Sequence, residues 1–282
     1  MIVAICVSSE AVDCRVLNQQ QSAPDLAPVG SSVTVAVSTL GARLAGVTLP
    51  PPHRGIRYLI LVQKGEGAVG PAEITERSDV TRRDLQGVGL SLSRNAALDH
   101  ASGALLVFAD DDMTLSVEGI MALARVFEED PALDFAAGWR SDRLPRAGRR
   151  GRVHRLHHFN SGRIAAPELM VRRSAVIAAG IRFDPDFGLG AKHGLGEEYV
   201  FVTDALKAGL QGRSFAVVIG AHPHESTGDD WRARGLMNAR IAVLTRVFGR
   251  SAALVRLVYA VRYRRRIGRW SSLWRFVRGD WI

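Results

Sequence analysis

Three consecutive carboxylates, Asp110, Asp111 and Asp112, follow the apolar run "ALLVFA". That run reads as a buried β-strand. Like charges this close repel, so the triplet needs a counter-charge or solvent. In an open α/β sheet, ligands gather outside the carboxyl ends of the strands, and the triplet stands at such an end. A hard divalent cation, Mg²⁺ or Mn²⁺ shared with substrate phosphates, would supply the charge. A solvated Asp turn or a helix N-cap is the alternative these residues leave open. A second acidic pair, Glu197 and Glu198, opens the helical pattern "EEYVFVTDALKAG". There the helix dipole favours ionised carboxylates, and a plain acidic helix start is by itself the better account of the pair.

The elements that would hold these residues follow from pattern. "VTVAVS" from Val33 to Ser38 and "YLILVQ" from Tyr58 to Gln63 are short β-branched or apolar runs that read as buried strands. "GVGLSLSRNAALDHASG" reads as a loop entering a helix that Gly103 stops. "SVEGIMALARVFEED" is a helix with Ser116 as its N-cap and Glu118 in the first turn. "LDFAAGW" and "SFAVVIG" add strands. "ELMVRRSAVIAAG" reads as a strand and a short helix, and Gly209 suits the end of the helix begun by Glu197. Alternating strands and helices predict an α/β fold with a parallel-type sheet.

The 282 residues allow one large domain or two modest ones. At 47% hydrophobic, the chain can bury a full core. Its net charge is +9, and all but three of its 37 basic residues are arginine. Arginine forks suit phosphate and carboxylate partners, although a GC-rich coding bias gives the same composition. Cys6 and Cys14 make neither a metal pattern nor a disulfide framework, so a reducing compartment is expected. The first residues lack a basic n-region and a long apolar run, and no window is apolar enough to span a bilayer. The expected division is a weakly structured extension over 1–30, a catalytic domain over 31–230 and a basic helical region over 231–282.

The stretch "GLSLSRNAALDHASGALLVFADDD" resembles the family 2, GT-A type glycosyltransferases through Gly89, Arg94, Asn95, Ala101, Gly103 and the Asp triplet. "FDPDFGLGAKHGLGEEYVFVTDALKAG" resembles the second half of the same fold. The resemblance covers about Val33 to Gly228. It implies a mixed, mostly parallel central sheet flanked by helices, here with a C-terminal helical extension. It also implies a nucleotide-diphosphate-sugar donor, Mn²⁺ or Mg²⁺, and inversion at the anomeric carbon. On this resemblance Asp112 holds the metal, with Asp110 near the ribose or metal, while Asp111 points away as alternate residues of an extended segment do. Glu198 is the base that takes the acceptor proton, with Glu197 as fallback; most relatives carry Asp where this chain has Glu198. Ser38, Thr39 and Arg43 follow the first strand, where the family wraps the nucleotide. Gln63 and Arg94 are further donor contacts, Arg94 having a helix N-terminal salt bridge as its alternative. Asp110 and Asp111 complete the donor set. Of the histidines in "AHPHESTG", His222 is expected at the metal or diphosphate rather than His224.

The region "GLMNARIAVLTRVFGRSAALVRLVYAVRYRRRIGRW" places arginines and apolar clusters at helical spacing, with Ile241, Leu244, Val247 and Phe248 on one face. With Trp270, Trp274 and Trp281 nearby, it suits contact with an anionic membrane surface, and a helix packed on the catalytic domain with its arginines solvated is the alternative left open. Membrane contact would suit a glycan or lipid-linked acceptor in bacterial envelope polysaccharide synthesis, and a cytoplasmic enzyme peripheral on the inner face of the cell membrane. Two other readings were weighed. A non-catalytic relative would bind a nucleotide or glycan without transfer, against which the intact acidic motifs speak. A nucleic-acid-binding protein would fit the charge, but the chain has no nucleic-acid motif, so no nucleic-acid partner is expected.

Overall fold

The structure is a computed structural model that describes residues 32–144, 153–222, 231 and 233–281. The expected extension over 1–30, Cys6, Cys14 and His224 lie outside the described residues.

The chain builds one mixed sheet. Strands β1 (Val33–Leu40), β2 (Ile56–Gln63), β3 (Val80–Leu85) and β4 (Leu105–Asp110) run parallel in the order β3-β2-β1-β4. Next to β4, β8 (Leu169–Arg172) pairs antiparallel with it and with β6 (Phe135–Arg140). β6 runs parallel to β9 (Gly212–Ala221), and β9 carries the two-residue strands β5 (Thr114–Leu115) and β7 (His154–Arg155), both antiparallel. This is the mixed, mostly parallel α/β sheet expected.

Both faces of the sheet are covered, which is why its central strands read as unbroken apolar runs. Alternate side chains go to opposite sides. Val33, Val35 and Val37 of β1 and Leu105, Val107 and Ala109 of β4 pack with Ile120, Leu123 and Phe127 of helix α3 (Val117–Glu129). Ala36, Leu106 and Phe108 go the other way, to Ala97 and Leu98 of α2 (Leu90–His100) and Phe201 and Ala205 of α5 (Glu197–Lys207). Burying a Val, Leu or Phe side chain contributes about 1.5–3 kcal/mol. Of two shorter helices, α1 (Ala72–Thr75) lies beside the edge strand β3 and α4 (Arg173–Ala178) beside the central strand β8. Ser116 caps α3 by accepting a hydrogen bond from Gly119 N at 3.1 Å.

The expected long C-terminal helix is several helices. α6 (Arg234–Phe248) ends where Gly249 adopts φ +52°, and α7 (Ala252–Arg262), α8 (Arg264–Ile267) and α9 (Trp270–Arg278) follow. The face of α6 bearing Ile241, Leu244 and Val247 is buried. Val247 packs with Val200 and Phe187 of the sheet domain. Arg246 adds a fork to Asp204 and a bond to Asp184, and Lys207 Nζ caps α6 by donating to Val247 O at 2.7 Å. Val243 and Val247 of α6 therefore dock on the sheet domain, while Ile241 and Leu244 pack with Ala260, Ile267 and Phe276 of the later helices, so both partners lie within the chain. No helix among the described residues is long and apolar enough to cross a membrane.

Candidate functional site

The Asp triplet turns off the end of β4 into β5, and β5 pairs with the end of β9. The approach is close: a Cβ on Gly220 would lie 2.6 Å from Thr114 O. This pairing carries His222, just past β9, to the triplet. His222 Nε2 lies 3.0 Å from Asp112 Oδ1. His222 N also donates to Asp142 Oδ1 at 2.7 Å, so the loop after β6 fixes its backbone.

Arg43 closes over the triplet from the 3-10 turn after β1. Its Nη2 lies 2.7 Å from Asp111 Oδ1 and 3.0 Å from Asp112 Oδ2. Asp111 also accepts a bond from Thr39 Oγ1 at 2.7 Å. The middle aspartate therefore does not turn away from its neighbour; the two share one guanidinium. Burial pushes the Asp111 carboxyl above its ordinary range, against the Thr39 bond and the Arg43 charge. For Asp112, burial pushes up too, but His222 and Arg43 outweigh it and hold the carboxyl below its ordinary range.

Asp110 faces another arginine. Arg94, on the first turns of α2, is 2% exposed. Its Nη2 lies 3.5 Å from Asp110 Oδ1, and its Nη1 lies 2.8 Å from Glu197 Oε1 and 3.5 Å from Glu198 Oε1. One guanidinium thus touches both acidic motifs. Their elements meet through an aromatic cluster: Phe108 of β4 packs edge-on to Phe183 at 5.2 Å, and Phe183 stacks on Phe201 of α5 at 4.1 Å. Asn95 locks the middle ring's backbone, bonding both Phe183 N and Phe183 O at 2.8 Å.

The two glutamates have different surroundings. Glu197 lies beneath the 188–196 loop, where a Cβ on Gly188 would come within 2.9 Å of its Cδ. Burial first, and then the Glu198 charge, push the Glu197 carboxyl up to about 7 against the pull of Arg94. Glu198 is less buried and accepts a bond from Ala166 N at 3.4 Å. Gly196 precedes the pair at φ +91°, and a Cβ there would lie 2.4 Å from Val243 Cγ2. Only glycine suits that left-handed, crowded position, so α6 braces the start of α5.

Of the expected donor contacts, solvent reaches Arg43, with its side chain 53% exposed, and Asp110, 28% exposed. Ser38 receives a bond from Ser93 Oγ at 2.8 Å, and Gln63 Oε1 accepts from Gly89 N at 2.6 Å. Both are buried, as is Thr39. In this arrangement these three position loops, and Arg94 forms buried ion pairs, its salt-bridge alternative. A cleft of about 780 Å³ opens beyond β2 and β3, lined by Lys64, Glu66, Arg82, Asp84 and Gln86 among others. Sequence reading passed over these residues, and also Arg140 and Glu168. That buried pair, Nε to Oε1 at 3.3 Å, joins β6 to the turn beside Glu198.

Among the described residues no group of three His, Cys, Asp or Glu is arranged as a metal cage. Of the expected set of Asp112, Asp110 and His222, Asp110 lies toward Arg94 at 3.5 Å, and Asp112 and His222 remain side by side. The remaining pair fits a hard cation. Two donors about 2.1 Å from an octahedral ion stand about 3.0 Å apart, the separation of Asp112 Oδ1 and His222 Nε2. Asp112 Oδ1 is also buried, and among the described residues it makes no hydrogen bond beyond its 3.0 Å contact with His222 Nε2. Mg²⁺-type ions commonly take one or two carboxylates and fill the other positions with phosphate and water.

The fold defines a class. The structure of mannosyltransferase PcManGT from Pyrobaculum calidifontis, in complex with GDP-Man and Mn²⁺, superposes with a TM-score of 0.52 at 15% identity, covering 89% of this chain and 69% of that one. S. aureus TarS 1-349 superposes with 0.51 at 12% identity, covering 88% and 90%. Its complex with UDP-GlcNAc gives 0.50 at 15%, covering 82% and 71%. The chain has the GT-A glycosyltransferase fold. Residues 74–184 match the family described as "Glycosyl transferase family 2". That segment contains Arg94 and the Asp triplet, and over it the chain is similar to the family 2 glycosyltransferases. No curated protein matches the chain.

Proposed function

We propose that the chain transfers a sugar, with inversion, from a nucleotide-diphosphate sugar to a hydroxyl of a glycan or lipid-linked acceptor, in bacterial envelope polysaccharide synthesis. The reading places it in the cytoplasm, peripheral on the inner face of the membrane. One observation carries it: Arg94 contacts Asp110 at 3.5 Å and Glu198 at 3.5 Å. The donor end and the acceptor end of the expected chemistry therefore share one site.

The nucleoside would occupy the cleft beyond β2 and β3, with its diphosphate at Arg43, Asp112 and His222. A cation held by Asp112 and His222 would offset the negative charge that gathers on the leaving diphosphate. Glu198, the more accessible glutamate, accepts the proton of the acceptor hydroxyl as that oxygen bonds to the anomeric carbon. The bond from that carbon to the diphosphate oxygen breaks, and the nucleoside diphosphate leaves with the electron pair. Arg94 does not meet the donor. It holds Glu198 and Asp110 in register and keeps Glu197 beneath them.

A thermal-shift panel of nucleotide sugars with and without Mn²⁺ tests the donor half, since a ligand that binds the folded state raises apparent stability. One donor should stabilise the chain more with Mn²⁺, and Asp112→Asn should remove the Mn²⁺ dependence. A panel in which no nucleotide sugar shifts the transition would end the reading.

A further inference from the structure

The C-terminal helices beyond Gly249 leave an apolar surface with no partner in the described chain. On α7, Leu254, Leu257, Val258 and Val261 are each 43–64% exposed, whereas Ala252, Arg256 and Ala260 are buried. At 100° per residue the four exposed side chains span an arc of about 100°, opposite the buried face. α9 crosses α7 with Phe276 buried against Tyr259, their rings stacked at 5.5 Å. It turns Trp270 and Trp274 outward, 83% and 56% exposed. Arg278 stacks on Trp274 at 5.1 Å.

The charge around this surface is of one sign. Between residues 250 and 279 there are nine arginines and no aspartate, glutamate or lysine. A face for a second copy of this chain would set arginine against arginine. A neutral apolar partner would leave the guanidiniums without counter-charges. Outward Trp, a Leu/Val stripe and surrounding arginines match the depth profile of a bilayer interface: apolar side chains below the headgroups, indoles at their level, guanidiniums on the phosphates.

We infer that the α7 stripe and the α9 tryptophans form the face by which this chain lies on an anionic lipid bilayer. This gives the peripheral placement proposed above a specific surface, and it differs from the apolar side chains of α6, which the rest of the chain covers. α6 links the two functions physically, because it braces Gly196 at the start of the glutamate-bearing helix. A docked α7–α9 layer would hold the site at a fixed height above the headgroups, where the hydroxyl of a lipid-linked acceptor would be presented.

The test uses the full chain, without sugar donor, in co-sedimentation with vesicles of phosphatidylcholine alone and of phosphatidylcholine with phosphatidylglycerol. Binding to the anionic vesicles should exceed binding to the neutral ones and weaken with added salt. Trp270→Ala with Trp274→Ala should lower anionic-vesicle binding about tenfold at an unchanged melting temperature. Arg264→Gln with Arg265→Gln should lower it about fivefold per charge and leave neutral-vesicle binding unchanged. If neither vesicle binds, or both variants bind undiminished, the inference fails. It fails equally if light scattering shows a dimer that the tryptophan variant dissociates, since a second copy then covers the face. None of these readouts depends on sugar transfer, so failure here leaves the transferase reading standing.

Discussion

The two acidic clusters carry like charges crowded together, yet the fold neutralises them in opposite ways. Asp111 and Asp112 are clasped by Arg43, whose side chain is half exposed. Glu197 and Glu198 are clasped by Arg94, which solvent does not reach. An exposed arginine can swing away at small cost, because water takes over its solvation. A buried one cannot, because every partner it leaves is stranded in a low dielectric. The first cluster thus has a removable counter-charge, suited to exchange for a cation and a diphosphate. The second has a fixed one, suited to holding a base in place. Function and stability should separate along this line.

The sharpest break is Glu198→Gln. It keeps the shape of the site and removes the proton acceptor, so transfer should fall about 10²–10⁴-fold. Donor binding, read by thermal shift, should stay close to wild type. Retained transfer would place the base elsewhere, with Glu197 the next residue to change.

Next in size is the buried arginine. Arg94→Met leaves two glutamates and an aspartate without their shared cation. Breaking such a pair from one side costs about 3–5 kcal/mol, readable by chemical denaturation. Adding Glu197→Gln should recover part of the loss, since one stranded charge is gone. A single variant as stable as wild type would show that Arg94 does not organise the site.

Glu197 supplies a pH signature for the same cluster. Its folded pKa is raised to about 7 from an ordinary value of 4.5. The folded state therefore binds this proton more tightly than the unfolded state does. Its stabilising contribution is complete below the unfolded pKa and is lost as pH rises toward 7. Denaturation midpoints should decline across that window in the wild type and decline less in Glu197→Gln. Parallel profiles for the two proteins would mean that Glu197 is ionised throughout, held so by Arg94.

How much of this was legible in the sequence depends on the range of the interaction. β1, β2, β4 and β9 were readable because strands covered on both faces need unbroken apolar runs. β3, "VTRRDL", was missed because it is an edge strand whose side chains alternate between partial and full exposure. β5 is two residues long, too short for any periodicity, yet it brings His222 to the triplet. The acidic motifs stood out by local spacing. The role of Arg94 did not, because its closest partner is 103 residues away and only the packing of Phe108, Phe183 and Phe201 joins them. Ser38, Thr39 and Gln63 looked like ligand contacts because they sit at strand ends. Strand-end polar groups that become buried need partners of their own, and here Ser93 of α2, Asp111 and the backbone of Gly89 supply them. The tail was legible as amphipathic and basic, but its pattern could not tell which apolar face the protein itself would cover.

The smallest expected effect is the one that most directly tests the removable counter-charge. Arg43→Gln should change stability by less than about 1 kcal/mol, as loss of an exposed ion pair does. It should nevertheless alter cation binding in the absence of any donor. In the wild type an incoming Mn²⁺ at Asp112 Oδ1 meets the positive charge of Arg43, whose Nη2 sits on Oδ2 of the same carboxylate. Without that competitor, Mn²⁺ alone should raise the melting temperature at a concentration up to about fivefold lower, the whole energy of such a pair being about 1 kcal/mol. Asp112→Asn should abolish the Mn²⁺ shift in both backgrounds, which ties the response to this carboxylate rather than to the Glu197–Glu198 pair. If Arg43→Gln instead needed more Mn²⁺, the guanidinium would be orienting Asp112 for the ion rather than competing with it. The two clusters would then differ in burial but not in kind.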